Sequence, residues 1–379
     1  MKREIIFWQN IPSIHQSAMI RHLSTIDGCK VTLVTGEGVP AHRKSMGWKM
    51  PDFGLANLVI GPGKQDVRDL ITKDDENKIH IFSGLRAFPL VWRAFNMALA
   101  TRARLGIFLE VPNKPFGVMG QVNRLRYGFD AVRFGGRIDF ILAAGEAGRR
   151  WYVGCGYPDD KVFQYAYFVE APDCGSGWQQ TAAREREKLE IIVIASLIRR
   201  KGLDVLLRAA SSLLEYDWEI KIVGDGSERR SLLALRDRLK LTDRVQFCGV
   251  MDNEAAMRRL GGADMLVLPS RYDGWGAVVN EALMRGVPVI CSDRCGASVL
   301  LHDAERGTVF KSGSVESLRN ALAAKMRLAP LADGKDRIRQ WAGRAISGEA
   351  GALYLLDIVD YVDGVAARPV APWLLWPSL

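Results

Sequence analysis

Short apolar runs alternate with segments of helical spacing from the first residues onward. Ile5 to Trp8, Val31 to Thr35, Leu58 to Ile60, Ile79 to Phe82, Gly106 to Glu110, Asp139 to Ala143 and Val162 to Tyr165 each suit a short buried strand. His15 to Ile26, Arg86 to Ala103, Gln121 to Phe134 and Ala147 to Cys155 carry helical patterns between them. A second series follows Glu190, with strands expected at Ile191 to Ala195, Trp218 to Val223, Val245 to Cys248, Met265 to Leu268, Val287 to Cys291 and Thr308 to Phe310. Strand and helix in alternation predict α/β domains built on parallel sheets with crossover helices.

Composition divides the chain in two. Pro172, Gly175, Ser176 and Gly177 sit in a polar run that reads as a linker. The expected organisation is a first α/β domain over 1–168, a linker over 169–186, a second α/β domain over 187–346, and a C-terminal helix and tail over 347–379. A length of 379 residues exceeds what one hydrophobic core comfortably serves. Helices are expected at Ile338 to Ile346 and Glu349 to Val362. The tail with Pro369, Pro372, Trp373, Trp376 and Pro377 is expected to pack back on the first domain.

Charge sharpens this division. The formal net charge is +9, and residues 1–168 hold 23 Lys and Arg against 15 Asp and Glu. Much of the excess lies between Arg86 and Arg150, interleaved with Trp92, Phe95, Phe116, Tyr127, Phe129 and Phe134. Such a stretch suits an anionic membrane surface or an acidic lipid-linked substrate, and equally a solvated helical face. No nucleic-acid-binding motif accompanies it, so nucleic acid is not an expected partner. No apolar run approaches the roughly 18 residues of a membrane span, and Lys2, Arg3 and Glu4 lead straight into the first strand, so a cytoplasmic location, free or peripheral on the cytoplasmic face of the membrane, is expected. The six cysteines show neither C-x-x-C pairs nor zinc spacing with histidine, and reduced thiols are expected.

The chemistry gathers at Ser270 to Pro288. An apolar strand ends at Pro269, Gly274 and Gly276 mark a tight turn, and a short helix follows until Gly286 and Pro288 stop it. In an open α/β sheet ligands bind at the carboxyl ends of strands, and the free N–H groups of a helix start suit a phosphate. Asp273 and Glu281 flank that turn, and a carboxylate pair suits sugar and ribose hydroxyls, which donate to ionised oxygens.

Five segments then arrive in order: Ser196 to Leu206 with Arg199-Arg200-Lys201-Gly202; Ile222-Val223-Gly224-Asp225-Gly226; Val245 to Gly249; Ala263 to Ser270; and Asp273-Gly274-Trp275-Gly276 running on to Glu281 and Gly286 to Ile290. Together they resemble the nucleotide-sugar-binding domain of glycosyltransferase family 4, retaining enzymes of the GT-B fold with an E-x7-E block. The resemblance covers Glu190 to Phe310 and is looser in the first half, at Pro12 to Gln16 and Glu110 to Pro112.

It implies two Rossmann-like domains facing across a cleft, the first binding the acceptor and the second the donor. The implied reaction is retaining transfer of a sugar from a UDP-, GDP- or other nucleotide-diphosphate sugar, without cofactor or metal; no D-x-D occurs in the chain. The implied acceptor is a lipid-linked saccharide in exopolysaccharide or lipopolysaccharide assembly. Lys201 would stabilise the leaving diphosphate, helped by backbone N–H groups around Gly274, Trp275 and Gly276. Glu281 would accept from ribose and Asp273 from the donor sugar. Gly224 and Gly249 would allow close approach to the nucleotide, with Val250 over the base. His15 would contact acceptor or phosphate, or be an ordinary helix-start histidine. Glu110 would orient or deprotonate the acceptor hydroxyl, or serve structure.

Two positions depart from the family pattern. The first acidic residue of the block is Asp273, one methylene short, and Ser196 stands where relatives carry an arginine that Arg199 or Arg200 would have to replace. A nucleotide-sugar epimerase of the same fold and a non-catalytic nucleotide-sugar-binding protein are the alternatives.

Overall fold

A computed structural model describes residues 3–44, 49–112, 117–170, 188–327 and 334–375. It divides into two units, one made of the residues through Glu170 together with Ile346–Leu375, the other running to Ala345. The expected linker falls mostly on 171–187, outside the described residues.

In the first unit the strands are β1 (Arg3–Gln9), β2 (Cys29–Thr35), β3 (Asn57–Ile60), β4 (Lys78–Ser83), β5 (Arg104–Leu109), β6 (Phe140–Ala144) and β7 (Val162–Tyr165). They form one parallel sheet in the order β3-β2-β1-β4-β5-β6-β7. Its helices are α1 (Ile14–Thr25), α2 (Ala41–Lys44), α3 (Lys64–Thr72), α4 (Pro89–Ala98), α5 (Gly117–Phe134) and α6 (Gly145–Gly154). Near-continuous burial along β1, β4, β5 and β6 is what a sheet covered on both faces requires. The expected helix over Arg86 to Ala103 is shorter, because Pro89 takes the first helical position while Phe88 before it stays extended. Helix α3 has no counterpart in the sequence reading. Only Val67 and Ile71 of its mostly polar length are buried, and its start is marked by Asp66 accepting the Gly63 N–H at 2.9 Å.

The second unit contains β8 (Leu189–Ile194), α7 (Leu203–Ala210), β9 (Trp218–Val223), α8 (Arg229–Arg238), β10 (Val245–Gly249), α9 (Asn253–Gly262), β11 (Met265–Leu268), α10 (Val278–Leu283), β12 (Val289–Ser292), β13 (Gly307–Phe310), α11 (Val315–Arg327) and α12 (Gly334–Ala345). Its sheet is parallel, in the order β10-β9-β8-β11-β12-β13. The chain returns from the edge strand β10 to the middle of the sheet at β11, which makes β8 and β11 neighbours whose onward connections run to opposite sides, β8 to β9 and β11 to β12. That is the topological switch point of a doubly wound sheet.

The chain then returns to the first unit as α13 (Gly348–Val362) and α14 (Pro372–Leu375). Ser347 caps α13 by accepting from Ala350 N–H at 3.1 Å. Tyr354 donates its hydroxyl to Gln164 O at 3.0 Å, Arg3 pairs with Asp360, and buried Trp373 lies 6.3 Å, ring to ring, from both Phe168 and Tyr354. Trp373 of the tail is thus core, while Trp376 lies outside the described residues.

Candidate functional site

The loops after β8 and β11 approach each other at the switch point. The first leaves β8 through Ser196 and makes a single 3-10 turn at Arg199–Lys201 before Gly202 starts α7 with φ of 67°. A Cβ on Gly202 would lie 2.1 Å from Pro269 O, so only glycine allows the two loops this close. Arg271 fastens them: both guanidinium nitrogens donate to Asp204 at 2.7 Å, its side chain reaches Arg199 O at 2.9 Å, and its backbone N–H reaches Arg200 O at 2.8 Å. The same guanidinium holds the Asp204 carboxyl below its ordinary range.

Asp273 occupies the middle. Its backbone is fixed by its N–H donating to Arg294 O at 2.9 Å and its carbonyl accepting from Gly296 N–H at 3.2 Å. Its carboxylate lies 2.5 Å from Lys201 Nζ on one oxygen and 3.5 Å from Arg200 Nη1 on the other, and the Ser270 hydroxyl donates to it at 3.4 Å. The Lys201 and Asp273 side chains retain only 15% and 12% of their exposure, so solvent screens the pair weakly. Sequence reasoning gave lysine and aspartate separate tasks; the structure joins them. One carboxylate between two cations leaves the trio a net charge of +1, open to an anion. Arg200, whose Nη1 also donates to Tyr272 O at 2.9 Å, brings a cation to this place, while the Ser196 side chain is exposed.

Beyond Asp273 the chain turns into α10. The N–H groups of Gly274, Gly276 and Ala277 donate to no protein group among the described residues. The Trp275 indole faces the other way: it is buried and donates Nε1–H to Asn280 Oδ1 at 2.8 Å. Asn280 is the polar group that sequence reasoning missed, although an asparagine in an apolar helix signals a buried partner. Gly276 has φ of 93°, and a Cβ there would sit 2.6 Å from Cys295 Sγ. Helix α10 is short, Val278–Leu283, which puts Glu281 in its first turn. The Glu281 side chain is half-buried, and burial pushes its carboxyl above the usual range while Arg285 opposes the shift.

The remaining donor-site candidates stand at the ends of β9 and β10. Gly224 makes its close approach to the protein itself: its Cβ would lie 2.1 Å from Ala195 O, and its N–H donates to Gly249 O at 2.8 Å. Gly249 has open space around it and Val250 is exposed, which leaves a surface above the strand ends.

In the first unit β1 and β4 form the corresponding switch point, and α1 starts beside it. Ser13 caps α1 by accepting from His15 N–H at 3.3 Å. The imidazole lies 5.3 Å, ring to ring, from Tyr167, whose hydroxyl donates to the Glu110 carboxylate. Tyr152 donates to Glu110 O at 2.6 Å. Burial, reinforced by Arg43, lowers the His15 pKa to about 4, so the ring is neutral near pH 7. Tyr167, which the strand pattern passed over two residues beyond β7, links the two first-unit candidates. Among the described residues no group of three or more His, Cys, Asp and Glu is placed to hold a metal ion, and no helix is long and apolar enough to cross a membrane.

Two parallel-sheet Rossmann-like domains define the class as GT-B. HepE from Anabaena, solved in complex with UDP, superposes with a TM-score of 0.69 over 94% of this chain and 100% of that one at 14% identity. A glycosyltransferase from Rickettsia africae ESF-5 does so at 0.71, covering 97% and 100%, also at 14% identity. At such identity the likeness speaks for the fold. The sequence then narrows the class for the second unit: residues 178–333 match the family of glycosyl transferases group 1. Homologues include the lipopolysaccharide core biosynthesis glycosyltransferase LpsD of Rhizobium meliloti, 32% identical over 187 residues, 47% of this chain and 50% of that protein. Alpha-D-kanosaminyltransferase of Streptomyces kanamyceticus is 28% identical over 160 residues, 40% of this chain and 42% of that one. The lipopolysaccharide glucosyltransferase WaaG of Escherichia coli is 27% identical over 179 residues, 46% of each chain. The matches span half or less of these relatives.

Proposed function

We propose that the chain is a retaining, metal-independent glycosyltransferase of family 4 that moves a sugar from a nucleotide diphosphate to a lipid-linked saccharide in cell-surface polysaccharide assembly, working at the cytoplasmic face of a membrane. The observation that carries the proposal is the Lys201–Asp273–Arg200 trio at the switch point, beside the undonated N–H groups of Gly274, Gly276 and Ala277. A diphosphate seated there meets fixed donors where leaving-group charge develops. Glu281 then holds ribose hydroxyls, and Asp273 shares its carboxylate between the cations and hydroxyls of the transferred sugar. Relatives named as lipopolysaccharide glycosyltransferases and a fold neighbour bound to UDP support this choice of donor and acceptor.

In the proposed step the bond from the anomeric carbon to the phosphate oxygen breaks while a bond to the acceptor oxygen forms on the same face. The acceptor proton passes to the departing phosphate oxygen. Lys201 and the turn N–H groups stabilise the negative charge that develops on the leaving phosphate before the proton arrives, and the first unit orients the acceptor, with Glu110 and neutral His15, both beside Tyr167, as its candidate contacts.

The test is incubation with a panel of nucleotide sugars and membrane extract. Release of nucleotide diphosphate that requires extract, with an α-linked product from an α-linked donor, is expected. An isomerised free donor, or binding without turnover, would replace transfer by epimerisation or by a binding role.

A further inference from the structure

The arginine excess of the first unit is mostly spent inside the protein. Arg86 pairs with Asp130 and Arg102 with Glu76, Arg104 lies 3.0 Å from Asp363, Arg137 3.3 Å from Asp139, Arg149 2.5 Å from Asp159 and Arg150 2.7 Å from Glu146. Arg124, Arg126 and Arg133 make no ion pair among the described residues, and all three lie on α5.

Helix α5 is apolar on two faces. One faces the core: Gly120, Ala131 and Phe134 are buried, Phe134 packs edge-on at 5.4 Å against Phe95, and Tyr127 sits 5.5 Å from Tyr152. The other consists of Val118, Val122, Leu125, Phe129 and Val132, which are 84, 50, 77, 60 and 89% exposed. Their spacing of four, three, four and three residues places them within an arc of roughly 80° at about 100° per residue. Arg126 and Arg133 border this arc on one side, and Arg124 lies beyond Gln121 and Gly128 on the other. The exposed side of α5 carries no carboxylate, because its one acidic residue, Asp130, is buried against Arg86.

From this geometry we infer that α5 is the surface by which the protein docks on an anionic bilayer, lying in the plane of the interface. The apolar arc enters the boundary between headgroups and acyl chains, and the bordering arginines meet lipid phosphates. A straight stripe running the length of a helix, edged by cations and free of carboxylates, complements a flat anionic surface of apolar depth; a protein groove would ask for a closed outline and paired charges. The inference deepens the proposed function and rests on it only for its purpose, which is to hold the enzyme where a lipid-linked acceptor is found.

The experiment is co-sedimentation of the full chain with vesicles of phosphatidylglycerol in phosphatidylcholine, and with phosphatidylcholine alone, at low and at physiological salt. Binding to the anionic vesicles, weakened by salt, is expected. The double variant Leu125→Glu with Phe129→Glu should lose at least about tenfold in partitioning, and Arg126→Glu with Arg133→Glu a comparable amount at low salt. Both pairs are exposed, so thermal unfolding and stabilisation by nucleotide diphosphate should match the wild type. Absence of wild-type binding at low salt, or undiminished binding of the Leu125/Phe129 variant, overturns the inference, as does a concentration-dependent dimer in ultracentrifugation that the same variant abolishes. Failure of the transferase proposal would show instead as missing nucleotide binding or turnover, which this assay leaves untouched.

Discussion

Replacing Glu281 with glutamine should move stability and ligand binding in opposite directions. The carboxylate is half-buried, its pKa is raised by burial, and among the described residues no protein group donates a hydrogen bond to it. An acceptor in that condition costs ~1 kcal/mol, the low end of the range for unsatisfied buried groups. Glutamine keeps the shape and removes the charge, so the second unit should gain about 1 kcal/mol, a rise of ~2–4 °C in Tm for a domain of this size. Binding should suffer. A hydrogen bond to a charged acceptor exceeds one to a neutral acceptor by ~1 kcal/mol, so two ribose hydroxyls lose ~2 kcal/mol, about thirtyfold in Kd. Thermal unfolding without ligand and calorimetric titration with UDP and GDP measure the two effects on one preparation.

The sign with pH follows from the same raised carboxyl. The folded state holds the proton above the unfolded pKa, so this contribution to stability is full at low pH and is lost as pH rises through the raised value. Nucleotide affinity runs the other way: it falls as pH drops through that value, and the fall should be absent in Glu281→Gln. A variant with lower Tm and unchanged affinity would refute the argument, since Glu281 would then be a structural carboxylate.

Lys201→Ala should lower turnover by about a hundredfold, the scale for one fixed donor at a developing oxyanion, while the fold survives; turnover within a few-fold of wild type removes Lys201 from the reaction. Asp273→Glu, whose backbone anchors leave no slack, should push the carboxylate about 1.5 Å along the chain and unseat Lys201, seen as a loss of turnover with a changed ranking of donor sugars; an unchanged ranking sinks that reasoning. Gly276→Ala should cost ~2–3 kcal/mol in urea unfolding, because φ of 93° is strained for alanine and its Cβ would press on Cys295 Sγ at 2.6 Å and Leu268 at 2.9 Å, and wild-type stability would refute it. His80 accepts from Trp8 Nε1–H at 3.1 Å in the first core, and burial with Lys78 nearby lowers its pKa to about 3. The unfolded chain therefore takes up the proton first, and stability should fall as pH drops from about 6.5 towards 5, more than in His80→Gln; parallel profiles count against it.

The strands were legible because each is a buried run whose apolar content has no other use, as in β1 or β11. Helix α3 was not, since a mostly polar helix with two buried residues has almost no apolar period to read. At the site, the glycines and acidic residues could be placed along the chain, while their partners could not. The pairing of Lys201 with Asp273 spans 72 residues and depends on β8 lying beside β11, a neighbourhood set by topology. Tyr167 stayed hidden for a related reason: it lies past the end of β7, and its role comes from the Glu110 and His15 that other loops bring to it. The expected basic patch between Arg86 and Arg150 resolves in part the same way, with Glu76, Asp159 and Asp363 from outside the stretch and Asp130, Asp139 and Glu146 within it pairing with its arginines.

The place where the chain departs from its resemblance is also where two loops are tied. Asp273 is held by backbone bonds to Arg294 and Gly296, and its short side chain reaches Lys201 and Arg200 together. Ser196 leaves a gap in the cation pattern, and Arg200 stands close enough to Asp273 to fill it. Under the proposed function the two departures are coupled: Arg200 and Lys201 meet on the one Asp273 carboxylate, where the pair would compensate for the missing arginine. Fixing both cations before ligand arrives lowers the reorganisation needed when diphosphate charge develops, at the expense of one competing carboxylate that the donor sugar must share. In the proposed reaction a donor whose hydroxyls satisfy Asp273 would restore that balance, and this aspartate would be the point where sugar identity and leaving-group stabilisation meet.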